Sequence, residues 1–189
     1  MPKKVDHGAR RRQLVEASWT VIAREGLEGA TLRKVAAAAN CTTGRIAHYF
    51  SGRDELILSA LSAAYAGAGN RMAAIAKTES DPPTRLRRVV YEALPLDAAR
   101  LKEWKVWIAF WAAAASDDVL AQENARRYRQ WQGLLSELIA DITGPEGADE
   151  HALALVSMVD GLGIRTTLVA NEENRRLARA GIDRWIVSL

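Results

Sequence analysis

Residues 31–50 constrain the fold of this chain more than any other stretch, because they predict two short helices around a tight turn. Thr31 is a good N-cap for the first of these helices. The apolar residues of that helix share one face at helical spacing: Leu32, Val35, Ala36 and Ala39. Asn40 follows where the helix would stop, and asparagine tolerates the left-handed conformation that such a stop often needs.

The second helix of the pair has distinct inner and outer faces. Thr42 is placed to cap it, and Ile46, Tyr49 and Phe50 point inward together because they are three and four residues apart. The remaining residues of the helix are small, polar or cationic: Gly44, Arg45, Ala47 and His48. This combination is typical of a helix-turn-helix unit whose second helix enters the major groove of DNA.

The segment from Arg12 to Leu61 resembles the N-terminal signature of the TetR family of transcriptional regulators. The stretch RRQLVEASWTVIAREGLEGATLRKVAAAA matches its first two helices, TTGRIAHYF its recognition helix, and SGRDELILSAL the start of the next long helix. Two positions depart from the signature, since Asn40 replaces the usual glycine of the turn and Ala47 the usual tyrosine of the recognition helix. The ending HYF resembles the BetI-like branch instead. A match at many positions over roughly fifty residues is far more specific than a lone short motif.

The resemblance implies a set of DNA-contacting residues: Arg33, Thr42, Thr43, Gly44, Arg45, His48, Tyr49 and Arg53. Threonine hydroxyls and backbone N–H groups at a helix N-terminus suit phosphates, and an arginine suits guanine O6 and N7 as a bidentate partner. We therefore expect Arg45 to contact a base, and Arg33 and Arg53 to contact phosphates. Purely structural roles stay open for Thr42 as a cap, for Tyr49 as a core residue and for Arg45 as a solvated charge.

Composition and charge favour an all-α protein with a basic N-terminal end. The chain has 189 residues, of which 49% are hydrophobic, and it is rich in helix-forming Ala, Leu, Arg and Glu. Residues 1–55 carry ten Lys or Arg against six Asp or Glu, whereas the remainder carries sixteen against seventeen. The positive excess thus lies at the end expected to meet phosphates. The single Cys41, with no signal peptide or membrane-spanning run, predicts a cytoplasmic protein.

We expect two domains and about nine helices. Residues 1–53 are assigned to the three-helix DNA-binding domain and residues 54–189 to a helical domain that binds an effector and dimerises. The second assignment follows from a looser resemblance of LPLDAARLKEWKVWIAFWAAAASDDVL and MVDGLGIRTTL to the C-terminal domain of the BetI-like branch.

An aromatic cluster marks the second domain. Trp104, Trp107 and Trp111 share one helical face, and Tyr128 and Trp131 lie on the next helix. Because aromatic faces attract cations, one interpretation is a pocket for a cationic effector, with Asp160 as counter-charge. A plain aromatic core, an exposed dimer surface, and a helix–helix contact for Asp160 are the alternatives.

A homodimer is implied by the family resemblance. Two-fold pairing of the last two helices would use a set of apolar positions: Leu153, Val156, Val159, Leu162, Ile164 and Ile186. Two heads would then meet half-sites one or more DNA turns apart, which predicts a near-palindromic double-stranded operator. An effector would change the spacing of the heads through helix 4, which joins the two domains.

Other chemistries find little support in the sequence. The three histidines show no metal-ligand spacing, Gly161-Leu162-Gly163 lacks the strand and full spacing of a nucleotide loop, and no serine elbow or carboxylate pair is present. We therefore expect no cofactor and no enzymatic activity. The predicted function is a ligand-responsive DNA-binding regulator, most simply a repressor. A helical adaptor without specific DNA binding is the alternative.

Overall fold

A computed structural model describes residues 6–189, and this part of the chain is all-α, as the sequence predicts. Its helices in chain order are α1 His7–Gly29, α2 Leu32–Ala38, α3 Thr43–Ala47, α4 Arg53–Thr78, α5 Pro82–Ala93, α6 Ala98–Ala114, α7 Asp118–Thr143, α8 Ala148–Leu168 and α9 Glu172–Val187. None of the helices among these residues is both long enough and apolar enough to cross a membrane.

The turn between α2 and α3 is set by its capping residues. Asn40 has φ = 48°, and this left-handed residue lets the amide of Cys41 donate to the Ala36 carbonyl at 2.9 Å and its own amide to Ala37 at 3.1 Å. These two bonds form a Schellman motif. The Thr42 hydroxyl accepts from the Arg45 amide at 3.3 Å and so starts α3. The predicted turn is confirmed, although α3 ends at Ala47 and continues only as a turn to Phe50.

The regular part of α1 ends just before Gly26. Gly26 has φ = 72°, which interrupts the helix, and one more turn follows it to Gly29. Glycine adopts this backbone conformation without the steric cost that a side chain adds.

The N-terminal core is completed by residues from far along the chain. Leu14, Ile46 and Phe50 are buried together with Val106 and Phe110 of α6. The predicted boundary after residue 53 falls at the first residue of α4, yet the first half of this helix belongs to the N-terminal core. The two-domain division stays a prediction. We call the residues around this first core, α1 to α3 with the parts of α4 and α6 that pack on them, the N-terminal unit, and the residues around the second core the C-terminal unit.

A second core occupies the rest of the molecule, from the later half of α4 to α9. A buried ionic cluster ties three of these helices together. Arg71 of α4 pairs with the buried carboxylates of Glu92 in α5 and Glu103 in α6, and Arg100 also pairs with Glu92. Since every carboxylate in the cluster has a guanidinium partner, neither buried charge is left uncompensated.

The structure corrects four of the six residues of the predicted dimer surface. Val156, Val159 and Ile186 are buried in their own chain, and Leu162 packs against the same core. These residues stabilise the monomer fold. The sequence did not separate them from a dimer surface, because α8 is apolar on both of its faces and periodicity alone does not distinguish the inner face from the outer one. The outer face is a stripe of exposed residues at helical spacing: Leu153, Ser157, Gly161, Ile164 and Leu168.

Candidate nucleic-acid interface and ligand cavity

The N-terminal unit presents most of its predicted DNA-contacting residues to solvent. These exposed residues are Arg33, Thr42, Thr43, Gly44, Arg45 and His48. At Gly44 an added Cβ would meet only the Thr42 hydroxyl, at 3.9 Å, so the outer surface of α3 is open for a close approach. The helix thus places a cap, a small residue and a cation on one accessible face.

The cations of this surface differ in how they are paired. Neither the Arg33 nor the Arg45 side chain has an ion pair or hydrogen bond among residues 6–189. Arg11 of α1 is instead paired with α4: its guanidinium lies 3.6 Å from the Glu55 carboxylate and 4.7 Å from the centre of the Phe50 ring. Unpaired guanidinium groups keep all their donors for an incoming anion.

Arg53 has a structural role that the sequence analysis missed. Its Nε donates to the Ala30 carbonyl at 3.1 Å and one Nη to the Leu27 carbonyl at 2.6 Å, so the side chain caps the end of α1. Two of its donor nitrogens therefore already hold the N-terminal unit together, and its contact with a phosphate stays a prediction. Any phosphate contact is left to its remaining N–H groups.

Tyr49 was considered both as a DNA contact and as a core residue, and its position in the structure is intermediate. The ring is half-buried against the N-terminal core, and it also packs against two histidines at the surface. Its centroid is 5.3 Å from the ring of His48 and 5.5 Å from that of His7 in the first turn of α1. His7 was not identified from the sequence, since a histidine near a chain start carries no signal of this contact.

The C-terminal unit contains a partly open cavity of about 350 Å³ between α4, α5, α6, α7 and α8. All six residues of the predicted effector pocket lie on its wall: Trp104, Trp107, Trp111, Tyr128, Trp131 and Asp160. The aromatic residues form part of the core and also line a cavity, because Trp104 and Trp107 are buried core residues that also bound the cavity.

The rings stand at angles to one another rather than in a single stack. Trp104 lies edge-on to Trp107 at 5.6 Å and to Trp111 at 5.5 Å, while Tyr65 stacks on Trp107 at 5.9 Å. Tyr128 is 6.2 Å from Trp111. Rings at different angles around one cavity present several π-faces to a single guest, which suits a quaternary ammonium group.

Asp160 contributes a carboxylate to the apolar wall. Burial raises its pKa, and the Tyr128 hydroxyl, which donates to Oδ2 at 2.7 Å, partly opposes that rise. Burial and the same hydrogen bond raise the pKa of Tyr128, so this phenol stays protonated as the donor. No group of three or more His, Cys, Asp or Glu suited to a metal ion occurs within residues 6–189.

Sequence reasoning missed Tyr65 and Arg127, which also line the cavity. Tyr65 is a lone aromatic residue in the small-residue run AAYAGAGN of α4, and that contrast was an available signal. Arg127 had none, because an arginine on a charged helix usually reads as a solvated side chain.

Two family models together match most of the chain. Residues 14–60 match the family model of bacterial regulatory proteins of the tetR family, and residues 82–189, more than half of the chain, match the C-terminal model of BetI-type transcriptional repressors. The chain belongs to the TetR family of transcriptional regulators. Like its relatives, this TetR-family chain is a DNA-binding transcriptional regulator and not an enzyme.

Relatives match this TetR-family chain over nearly its whole length. The HTH-type transcriptional regulator PksA of Bacillus subtilis (strain 168) is 32% identical, covering 89% of this chain and 83% of the relative. The regulator BetI of Stenotrophomonas maltophilia (strain R551-3) is 31% identical, covering 97% and 96%. A transcriptional regulator from Saccharomonospora viridis, solved in complex with choline, is 25% identical with a TM-score of 0.84, covering 95% and 96%.

Proposed function

We propose that this protein is a cytoplasmic repressor that binds a near-palindromic operator as a homodimer and leaves it when a small cation enters the aromatic cavity. The observation that carries the proposal is the position of α6. Trp107 and Trp111 of this helix line the cavity, whereas Val106 and Phe110 belong to the core of the N-terminal unit. A guest that moves α6 therefore acts on the DNA-reading helices through direct packing.

α4 provides a second connection of the same kind. Its first half is buried in the N-terminal core through Leu56 and Leu61, and its second half lines the cavity through Tyr65 and Met72. The sequence alone suggested α4 as the only route between the two units. A guest that displaces the cavity wall can therefore act on the N-terminal core through either of these two helices.

The cavity favours a cation over a neutral guest. Tyrosine and tryptophan faces attract positive charge, and the Asp160 carboxylate has one oxygen without a partner among residues 6–189. Choline is bound by the S. viridis regulator, and trimethylammonium compounds of this type are the effector class that we propose here. Titrating the protein with choline and with the neutral isostere 3,3-dimethylbutan-1-ol, followed by tryptophan fluorescence, tests the proposal. Equal affinity for the two compounds would rule out a cation site.

Asp160→Asn should weaken choline binding about tenfold or more at neutral pH. At an effective dielectric constant of about 20, a charge pair about 4 Å apart is worth on the order of 4 kcal/mol before desolvation is subtracted. The amide still accepts from Tyr128, so the ligand-free fold should be as stable as the wild type or slightly more stable, since the buried charge is gone. Asp118→Asn, at an exposed site outside the cavity, is the matched control.

The same carboxylate predicts how cation affinity depends on pH. Only ionised Asp160 attracts the cation, and its pKa is raised by burial, so affinity should be full above that pKa and fall as pH drops through it. The other titratable groups on the wall are the Tyr65 and Tyr128 phenols, whose pKa values are raised above the usual value of a phenol, and the Arg127 guanidinium. Isothermal titration from neutral to mildly acidic pH should therefore show a decline for the wild type and a weak, flat profile for Asp160→Asn.

Arg45→Ala and Arg33→Ala should change DNA binding in different ways. If Arg45 contacts a guanine, its loss costs about 1–3 kcal/mol at one operator position and relaxes the sequence preference there. If Arg33 contacts a phosphate, its loss weakens all sequences alike and lowers the salt slope by about one unit. Binding of operator and scrambled DNA at several salt concentrations separates the two, with exposed Arg129→Ala of α7 as the control. Identical behaviour of the two variants would contradict the assignment.

A further inference from the structure

The cavity contains a second charged side chain, Arg127, whose position is firmly held. Its Nε donates to the Glu123 carboxylate at 2.7 Å, and its guanidinium lies 5.0 Å from the centre of the Tyr65 ring. Tyr65 in turn stacks on Trp107. Arg127 is therefore the outermost member of a layered stack that ends at the cavity wall, and it lines the cavity itself.

Arg127 also retains positive charge despite its ion pair. Glu123 is shared, because Arg126 donates to both of its oxygens, at 2.6 and 2.8 Å. The hydrogen bonds from Arg126, together with Arg127, lower the pKa of Glu123 to about 2, so this carboxylate is ionised throughout the physiological range. One negative charge between two guanidinium groups leaves a net charge of about +1 at the edge of the cavity.

The unused donors of Arg127 complement the unused acceptor of Asp160. Within the part of the chain that the structure describes, Nη1 and Nη2 of Arg127 have no hydrogen-bond partner, and neither has Oδ1 of Asp160. The two residues line the same cavity, and Tyr128, next to Arg127 in the chain, holds Asp160. A guest with only a positive charge would use the carboxylate and leave the guanidinium donors without a partner.

We propose that the effector is a zwitterion in which a quaternary ammonium group is joined to a carboxylate. The ammonium group lies against the aromatic faces and Asp160, and the carboxylate accepts hydrogen bonds from Nη1 and Nη2 of Arg127. A guanidinium group suits this role because its parallel N–H donors match the two oxygens of a carboxylate. The inference rests on the proposed function of the cavity and specifies the chemical class that it recognises.

The test compares four ligands by tryptophan fluorescence and calorimetry on the full-length protein. Tetramethylammonium carries the cation alone, choline adds a hydroxyl group, and glycine betaine and γ-butyrobetaine add a carboxylate on a short and a longer spacer. At least one of the two betaines should bind about tenfold more tightly than tetramethylammonium. Arg127→Met should abolish that advantage while changing the affinity for tetramethylammonium less than about threefold.

Arg126→Met is the matched control. Arg126 contacts the same Glu123 carboxylate but is absent from the cavity wall, so this variant should keep the preference for the betaine. The proposal is overturned if neither betaine binds more tightly than tetramethylammonium, or if Arg127→Met weakens all the cations equally. If the betaines gain nothing while choline and tetramethylammonium still bind, only the zwitterion is excluded. If none of the four ligands binds, the cation-binding function falls as well.

Discussion

Gly163→Ala should lower the free energy of unfolding by about 3 kcal/mol or more. A Cβ at this position of α8 would lie within 3.0 Å of the Trp104 ring, closer than real Cβ atoms come to any neighbour. The ring has little freedom to move away, because it is buried and its Nε1 donates to the Ala93 carbonyl at 2.7 Å. The midpoint of thermal unfolding should fall by roughly 6–12 °C at equal protein concentration.

Gly133→Ala on α7 provides the control for this experiment. That glycine is exposed, and an added Cβ would meet nothing within 4 Å, so the variant should gain about 0.5–1 kcal/mol from its higher helix propensity. Replacing Trp104 with leucine in the Gly163→Ala background should recover part of the loss, because the smaller side chain makes room for the methyl group. A Gly163→Ala protein as stable as the wild type would show that Trp104 does not pack on α8 in this way.

Ile164→Asp should convert the dimer to monomers and weaken operator binding about 100-fold or more. We propose that the outer stripe of α8 pairs with its counterpart across a two-fold axis, since Leu153 and Leu168 are 55% and 73% exposed in the isolated chain. Ser157 and Gly161 lie between them and allow two helices to approach closely. In a symmetric contact each protomer would bring one carboxylate to the middle of the stripe, so two like charges would be buried close together. Sedimentation and fluorescence anisotropy with operator DNA measure the two effects.

The matched control is Val119→Asp in the first turn of α7. Val119 is 68% exposed and lies outside the stripe, so the variant gains the same charge at a similarly apolar surface position and should remain a dimer with wild-type affinity. An Ile164→Asp protein that is still dimeric would exclude this face of α8 as the interface. Dissociation of both variants would point to a general effect of added charge.

The DNA-reading end was the most predictable part of the molecule, because its signals are local. The caps at Thr31 and Thr42 and the left-handed Asn40 act within a few residues of their own positions, and the structure confirms all three. Their effect does not depend on distant parts of the chain. The capping role of Arg53 was missed because the carbonyls that it caps lie more than twenty residues away in sequence.

In the C-terminal unit the sequence predicted which residues share a helix face, but not what each face packs against. Helical spacing places Trp104, Trp107 and Trp111 on one face, yet it does not say whether that face meets a core, a cavity or a partner. The same limit led to the wrong assignment of Val156 and Val159, which belong to the inner face of a helix that is apolar on both sides. Gly163 and Arg127 acquire their roles only from what packs against them.

The central claim is that occupancy of the aromatic cavity controls the affinity of the protein for its operator DNA. The most direct test selects an operator from a random DNA pool and measures its affinity by fluorescence anisotropy, with and without a saturating trimethylammonium ligand. We expect the ligand to weaken binding by about 5–150-fold, the usual range for coupled sites, and to have little effect on Asp160→Asn at the same concentration. A ligand that fills the cavity of the wild-type protein and leaves its operator affinity unchanged would contradict the claim.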